Sequence, residues 1–197
     1  MRTLFLDFAS HNAASIACVT ERATVALTSV DHRMTDSALM PTVESTMKQA
    51  GWSYADIARL ACVTGPGGFT SLRMSAAFVN VLADQLHLPS VGVHLSDVYC
   101  ARVQKSEERH QSWVWVHSTR KQELFVRTFG LQDSQWTEPT LVSIDALLQA
   151  GFASPMNIAG ELIDEHRAAL APLQLEDMPL KPLSDVFPAL LAAQTYK

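Results

Sequence analysis

The chain of 197 residues has a globular composition, because 48% of its residues are hydrophobic and only 18% are charged. This length suits one large domain or two small subdomains, with enough core to fold without disulfides or metals. The net charge of −5 and the lack of a basic run argue against an independent nucleic-acid surface.

The three cysteines and the N-terminus give an expectation about location. Cys18, Cys62 and Cys100 are far apart and lie among apolar or small residues, which is typical of reduced cysteines. The first apolar run meets Asp7 after three residues and is too short for a signal sequence. No stretch approaches a membrane span. The sequence therefore predicts a cytoplasmic protein that has no membrane partner.

The first half of the chain reads as three strands followed by alternating helices and strands. Helix caps near Thr35 and a stop at Gly51 predict a first helix, in which Pro41 is acceptable only in the first turn. Asp7, at the end of the first strand, is either a site acid or a turn acid that binds local N–H groups. The predicted strands are residues 3–8, 14–19, 24–30, 57–63 and 90–93, and further helices are expected at 72–87 and 96–103.

A glycine-rich stretch joins the fourth strand to the second helix, and its motif residues are Gly65, Pro66, Gly67, Gly68, Phe69, Thr70 and Arg73. We expect Thr70 or Ser71 to cap the helix. Exposed N–H groups at a helix N-terminus suit a phosphate, but glycine turns also simply pack a helix against a sheet. The stretch is neither a Walker A loop nor a dinucleotide fingerprint. Both interpretations stay open.

The second helix is apolar on nearly every face, so it needs cover on more than one side. The sheet can cover one side, and either a partner subunit or the first helix can cover the other. If a partner covers it, we expect the interface to comprise Met40, Val43 and Met47 of the first helix with Leu72, Ala76, Ala77, Phe78, Val79 and Ala83 of the second.

The second half is a shorter series that follows a polar linker at residues 104–111. It predicts a hairpin around residues 119–121, an uncertain strand at 140–142, a strand at 156–159, and helices at 144–149, 163–169 and 186–193. Ser184 and Asp185 are expected to cap the last helix. The element order predicts an α/β, actin-like or ribonuclease-H-like fold with mixed sheets flanked by helices. Its two tandem subdomains would be residues 1–103 and a degenerate 112–197.

The sequence offers little catalytic chemistry. The seven histidines form no pair at i, i+4 and none lies beside a cysteine, so we predict no metal site. There is no Gly-x-Ser-x-Gly elbow, and no second phosphate loop in the C-terminal half. These patterns identify neither a metal pair nor a nucleophile elbow, and they leave Asp7 and the glycine loop open as a nucleotide site.

The glycine stretch from Thr64 to Arg73 resembles the signature of the bacterial TsaB (YeaZ) family, Gly-Pro-Gly-Ser-Phe-Thr-Gly-Leu/Val-Arg. The first strand and its turn, the start of the first helix and the strand at residues 90–93 are also similar to that family. The C-terminal third matches only loosely. The chain departs from the family pattern at Phe8, Gly68, Ser71 and Ser118.

The resemblance implies a catalytically silent, actin-like scaffold that binds and activates TsaD. With TsaE, that complex transfers threonylcarbamoyl to the anticodon-adjacent adenosine of tRNA. It further implies a homodimer when the chain is alone, contact with tRNA only through the complex, and no cofactor held by this chain alone, with a nucleotide possible at the partner interface.

Two other functions remain open from the sequence. One is a nucleotide-binding kinase or ATPase that uses Asp7 and the loop at residues 65–71. The other is a peptidase, since the family was once suspected of proteolysis; the missing metal pair and nucleophile elbow count against it.

Overall fold

The computed structural model describes residues 1–11, 13–31, 33–104, 112–131 and 134–197. The chain forms two compact units. The first unit comprises Met1–Val98 and Pro182–Lys197, and the second comprises Tyr99–Lys181. Each unit contains one five-stranded mixed sheet with helices. None of the described helices is long and apolar enough to cross a membrane.

The sheet of the first unit has the strand order β3-β2-β1-β4-β5. Its strands are β1 (Arg2–Asp7), β2 (Ala14–Thr20), β3 (Thr24–Val30), β4 (Arg59–Gly65) and β5 (Ser90–His94). The first three strands are antiparallel, whereas β4 runs parallel to both β1 and β5. Helices α1 (Asp36–Gln49) and α2 (Phe69–Leu86) connect these strands, with a short 3-10 helix at Tyr54–Asp56. Helix α3 (Leu95–Arg102) follows β5.

Strand β1 is buried on both faces, which explains its unbroken run of apolar residues. Leu4 and Leu6 belong to a core cluster that includes Val43 of α1 and Val79 of α2. Phe5 points the other way, because successive side chains of a strand alternate between faces. Its ring lies 4.7 Å from that of Phe187.

Phe187 belongs to α6 (Leu183–Ala192), which joins the first unit although it ends the chain. The division therefore differs from the predicted boundary of 1–103 and 112–197, because burial of Phe187 against Phe5 holds the C-terminal helix on the first sheet. Of the predicted linker at 104–111, only Gln104 lies within the described residues, and its N–H donates to the Pro179 carbonyl.

The second unit has the strand order β10-β9-β6-β7-β8. Its strands are β6 (Trp113–Arg120), β7 (Glu123–Phe129), β8 (Thr140–Ser143), β9 (Met156–Glu161) and β10 (Leu175–Asp177). The helices are α4 (Ile144–Gln149) and α5 (Asp164–Ala169), followed by a 3-10 helix at Ala171–Leu173. The predicted hairpin is present, with β6 antiparallel to β7. Strand β10 was not predicted, because three residues carry too little periodicity to indicate a strand.

Two predicted helix starts are wrong, those of α2 and α6. Helix α2 begins three residues early, with Gly68 as its N-cap, so Thr70 and Ser71 lie inside the helix. Helix α6 starts after Pro182, so Ser184 and Asp185 lie in its first turn. Helix α1 does start after Thr35, as predicted, but Pro41 is its sixth residue and lies beyond the first turn, where only one backbone hydrogen bond is lost at an exposed position.

Candidate functional site

The glycine loop packs directly on the turn that follows β1. A Cβ atom at Gly67 would lie 2.6 Å from the Ala9 carbonyl oxygen and 2.8 Å from the Ala9 Cα, both backbone atoms. At Gly65 the loop has a φ of +122°, which a residue with a side chain rarely adopts. The loop therefore needs glycine at these two positions for its own packing.

Asp7 supports the same turn from the end of β1. Its Oδ1 accepts a hydrogen bond from the Ala9 N–H at 3.0 Å, and the residue is only 8% exposed. The pKa of the Cys62 thiol is raised to about 11, mainly by burial and to a lesser extent by the nearby Asp7 carboxylate. These contacts give Asp7 and Gly67 a structural role that needs no nucleotide.

The neighbouring strand end is closed by a local polar contact. His94 lies beside Gly65 in the sheet, and its Nδ1 accepts a hydrogen bond from the Ser96 N–H at 3.1 Å. The Ser96 hydroxyl lies 2.8 Å from the same nitrogen. These bonds fix the start of α3 next to the glycine loop.

Helix α2 turns small side chains toward the sheet and a mixed polar and apolar side to solvent. Ser71, Ser75 and Val79 are its buried residues, at a spacing of four. The Ser75 hydroxyl is satisfied by the Leu72 carbonyl at 3.0 Å. On the opposite side, Val81 is 63% exposed and Ala77 is also exposed. Thr70, Arg73 and Asn80 are exposed as well, so the solvent side of α2 carries exposed apolar residues among polar ones.

The exposed side of α2 and the start of α1 line an open groove of about 620 Å³. The lining is mainly apolar, with one acidic and one basic side chain: Asp36, Leu39, Thr70, Arg73, Met74, Ala77, Phe78 and Val81. On α2 these residues recur at the three- and four-residue spacing of one helix face. Exposed apolar surface of this kind is typical of interaction sites.

The nine residues of the predicted interface differ in how far they are exposed. Val43, Met47 and Val79 belong to the core of the first unit and are at most 3% exposed. They face the sheet, where they pack in one cluster with Leu4 and Leu6 of β1. Ala77 is exposed and Met40 is 43% exposed. The half-buried members are Leu72, Ala76, Phe78 and Ala83.

Several groove residues were not predicted as part of an interface. Among them are Asp36, Met74 and Val81. Their signal was the spacing of residues 70, 73, 74, 77, 78 and 81, which defines one stripe on α2. Among the loop motif residues, Phe69, Thr70 and Arg73 lie on this exposed side, whereas Gly65 is buried and Pro66, Gly67 and Gly68 are half-buried.

In the second unit, the buried side chains of Ser118 and His166 form a hydrogen-bonded network. Ser118 Oγ lies 2.9 Å from His166 Nδ1 and accepts from the Ile163 N–H at 3.0 Å. His166 Nε2 lies 3.2 Å from the Lys121 carbonyl oxygen and donates to it, which leaves Nδ1 to accept from the serine hydroxyl. Ser118 and His166 are each 1% exposed. This network joins the β6–β7 turn to α5 and is closed to substrate.

The fold places the chain among actin-like ATPase structures. A protein from Bacteroides thetaiotaomicron, described as having an actin-like ATPase fold and unknown function, aligns with a TM-score of 0.50 at 13% identity, over 96% of this chain and 95% of that one. YeaZ from Pseudomonas aeruginosa aligns better, with a TM-score of 0.72 at 18% identity, over 98% of this chain and 92% of that one. A Pseudomonas aeruginosa protein described as similar to peptidase YEAZ aligns with a TM-score of 0.73 at 18% identity, over 97% of this chain and 90% of that one.

Residues 28–182 match the family model described as TsaD, tRNA N6-adenosine threonylcarbamoyltransferase. The chain therefore belongs to this family of tRNA threonylcarbamoyladenosine proteins. A tRNA N6-adenosine threonylcarbamoyltransferase from Polynucleobacter asymbioticus is 38% identical over 56 residues, which span 28% of this chain and only 16% of that protein. The predicted actin-like fold and the resemblance to TsaB (YeaZ) are confirmed.

Proposed function

We propose that this chain is a non-catalytic, TsaB-like subunit that binds a TsaD-like catalytic subunit and activates it for threonylcarbamoyl transfer to tRNA. The observation that carries the proposal is the open, mainly apolar groove that α2 forms with the start of α1. The small serines of α2 lie toward the sheet, and exposed Ala77 and Val81 line the groove on the other side. When a second protein covers the apolar residues of this groove, apolar surface leaves water and the free energy of the system falls.

The proposal defines the surroundings in which the subunit acts. A TsaE-like ATPase would complete the assembly, and tRNA would be contacted only through the complex, in the cytoplasm. In the absence of TsaD, the same groove would hold a second copy of this chain as a homodimer. Any nucleotide would lie at the partner interface. The net charge of −5 supports a role in which another subunit holds the RNA.

The test places one negative charge in the groove without disturbing the fold. Ala77 is exposed, so Ala77→Asp should leave the free energy of unfolding within about 0.5 kcal/mol of the original. In the complex the aspartate would be buried in the groove, and its desolvation costs several kcal/mol that a pair with Arg73, one helical turn earlier, would not fully offset. Asn80→Asp is the matched control, because Asn80 is exposed on the same helix and does not line the groove.

The measurement is light scattering after size exclusion, on the protein alone and mixed with the TsaD-like subunit of the same organism. We expect the original chain and Asn80→Asp to form a homodimer that converts to a heterodimer. Ala77→Asp should remain monomeric in both samples. If Ala77→Asp associates like the original chain, the groove is not the docking surface; if the original chain ignores the TsaD-like subunit, the proposed function is wrong.

A further inference from the structure

An aromatic and cationic pair stands at one edge of the groove. Phe69 is the first residue of α2 and is 73% exposed, the largest exposed fraction among the large hydrophobic side chains that the structure describes. The guanidinium carbon of Arg73 lies 5.2 Å from the centre of the Phe69 ring. The two residues are four positions apart on the helix, so both side chains project from the same face.

The charge of Arg73 is not neutralised by the residues that the structure describes. The ion pairs among them do not include Arg73, and Asp36, which lines the same groove, forms no ion pair with it. Stacking on Phe69 restricts the long side chain, so less rotamer entropy remains to be lost when the guanidinium binds a partner.

A carboxylate is the group that fits this arrangement. A guanidinium presents two parallel N–H donors that match the two oxygens of a carboxylate, and the low hydration of arginine favours its burial in interfaces. The exposed ring of Phe69 would be covered in the same contact. Aromatic residues and arginine are enriched among the side chains that dominate binding energy.

We propose that the Phe69–Arg73 pair is the specificity determinant of the groove and binds an acidic side chain of the docked protein. This inference rests on the proposed function, because it takes the TsaD-like subunit as the occupant. The apolar stripe would supply the buried area, and Arg73 would select a partner that places a carboxylate at the edge of the groove. Lysine would be a poor substitute, because it keeps the charge but loses the planar fork and its stacking.

The test measures binding of the TsaD-like subunit to four variants by titration calorimetry, each in 50 mM and in 300 mM salt. We expect Arg73→Gln to weaken binding about tenfold at low salt and to reduce its salt dependence. Arg73→Lys and Phe69→Ala should each lose part of that affinity. Arg22→Gln is the control, because Arg22 is exposed in the turn between β2 and β3 and does not line the groove.

The outcomes separate this inference from the proposed function. All four variants should melt at the temperature of the original chain, because each substituted side chain is exposed. If Arg73→Gln binds like the original chain at both salt concentrations while Ala77→Asp does not bind, the docking surface stands and the role of Arg73 is wrong. An effect of Arg73→Gln that appears only after tRNA is added would also overturn it, because the guanidinium would then contact phosphate. If the original chain does not bind, both proposals fail.

Discussion

Gly67 illustrates how one backbone contact determines which residue a loop accepts. Any Cβ at this position would lie 2.6 Å from the Ala9 carbonyl oxygen and 2.8 Å from the Ala9 Cα. Both are backbone atoms, which cannot move aside as a flexible side chain can. We expect Gly67→Val to lower the free energy of unfolding by about 3 kcal/mol, through strain in the turn after β1. Urea unfolding followed by circular dichroism measures this change.

The adjacent glycine provides the control. A Cβ at Gly68 would lie 3.7 Å from Ser71 Oγ, an ordinary contact, and Gly68 is the N-cap of α2. Gly68→Ser should therefore unfold at the original urea midpoint or slightly above it, since serine is a favourable N-cap. A stable Gly67→Val variant that loses only nucleotide affinity would show that the loop is a binding element.

The buried thiol of Cys18 predicts a dependence of stability on alkaline pH. Burial raises its pKa from 9.0 to about 12. Between these values the thiol ionises in the unfolded chain but stays protonated in the folded one, so stability falls as the pH rises above 9. Cys18→Ala removes this effect, although it leaves a small cavity that lowers stability at every pH.

The measurement compares urea midpoints of the original chain and Cys18→Ala at pH 7.5, 9 and 10.5. We expect the midpoint of the original chain to fall more steeply above pH 9, with the extra slope approaching that of one proton. Parallel curves for the two proteins would mean that Cys18 ionises equally well in the folded state.

At the scale of single residues, the sequence predicted the place of the glycine loop but not the role of each residue in it. The glycines indicated a tight turn, yet the difference between Gly67 and Gly68 depends on Ala9, which lies far away in the chain. Asp7 could be a site acid or a turn acid from the sequence alone, and only its bond to the Ala9 N–H identifies the turn role.

At the scale of elements, the sequence predicted the existence of α2 but not its orientation. Its apolar residues cover most of the circumference, so the hydrophobic pattern alone does not say which side meets the sheet. The packing decides, because Ser71 and Ser75 are small enough for the helix to lie close to β4. A helix with larger residues there would stand further from the sheet. The exposed stripe is therefore a consequence of tertiary packing, and periodicity could not reveal it.

The polar network of the second unit joins the β6–β7 hairpin to α5, and one substitution can test its contribution. Ser118→Ala leaves the Ile163 N–H and His166 Nδ1 without their partner in a buried place. We expect the free energy of unfolding to fall by about 2 kcal/mol, since unsatisfied buried polar groups cost about 1–3 kcal/mol. Chemical denaturation provides the measurement.

The neighbouring Thr119 is a matched control, because it is exposed and its hydroxyl donates to the Glu123 carbonyl at 3.2 Å. Thr119→Ala should change stability by less than about 0.5 kcal/mol. Equal losses in the two variants would mean that the network with His166 contributes no more than an exposed turn bond.

At the scale of the whole molecule, the order of elements predicted two α/β units but placed the boundary wrongly for the last helix. Sequence proximity assigned residues 182–197 to the second unit. In the structure, α6 lies on the first sheet, and Lys197 pairs with Ser90 of β5 through two backbone hydrogen bonds. The amphipathic pattern of a helix indicates that one face packs against a sheet, but it does not indicate which sheet.

The return of α6 predicts where the loss of its central side chain is felt. Phe187 is fully buried with its ring 4.7 Å from that of Phe5, so Phe187→Ala should destabilise the protein by about 3–5 kcal/mol. Phe69→Ala removes the same side chain from an exposed position and should cost less than about 0.5 kcal/mol.

Hydrogen exchange followed by mass spectrometry locates the effect, because amides exchange through the local opening of the elements that contain them. In Phe187→Ala, exchange should accelerate in β1, β2 and β3, whose sheet carries α6, and remain unchanged in the β6–β7 hairpin of the second unit. Equal acceleration in the two sheets would show that the units unfold together, whereas acceleration confined to β6 and β7 would assign α6 energetically to the second unit.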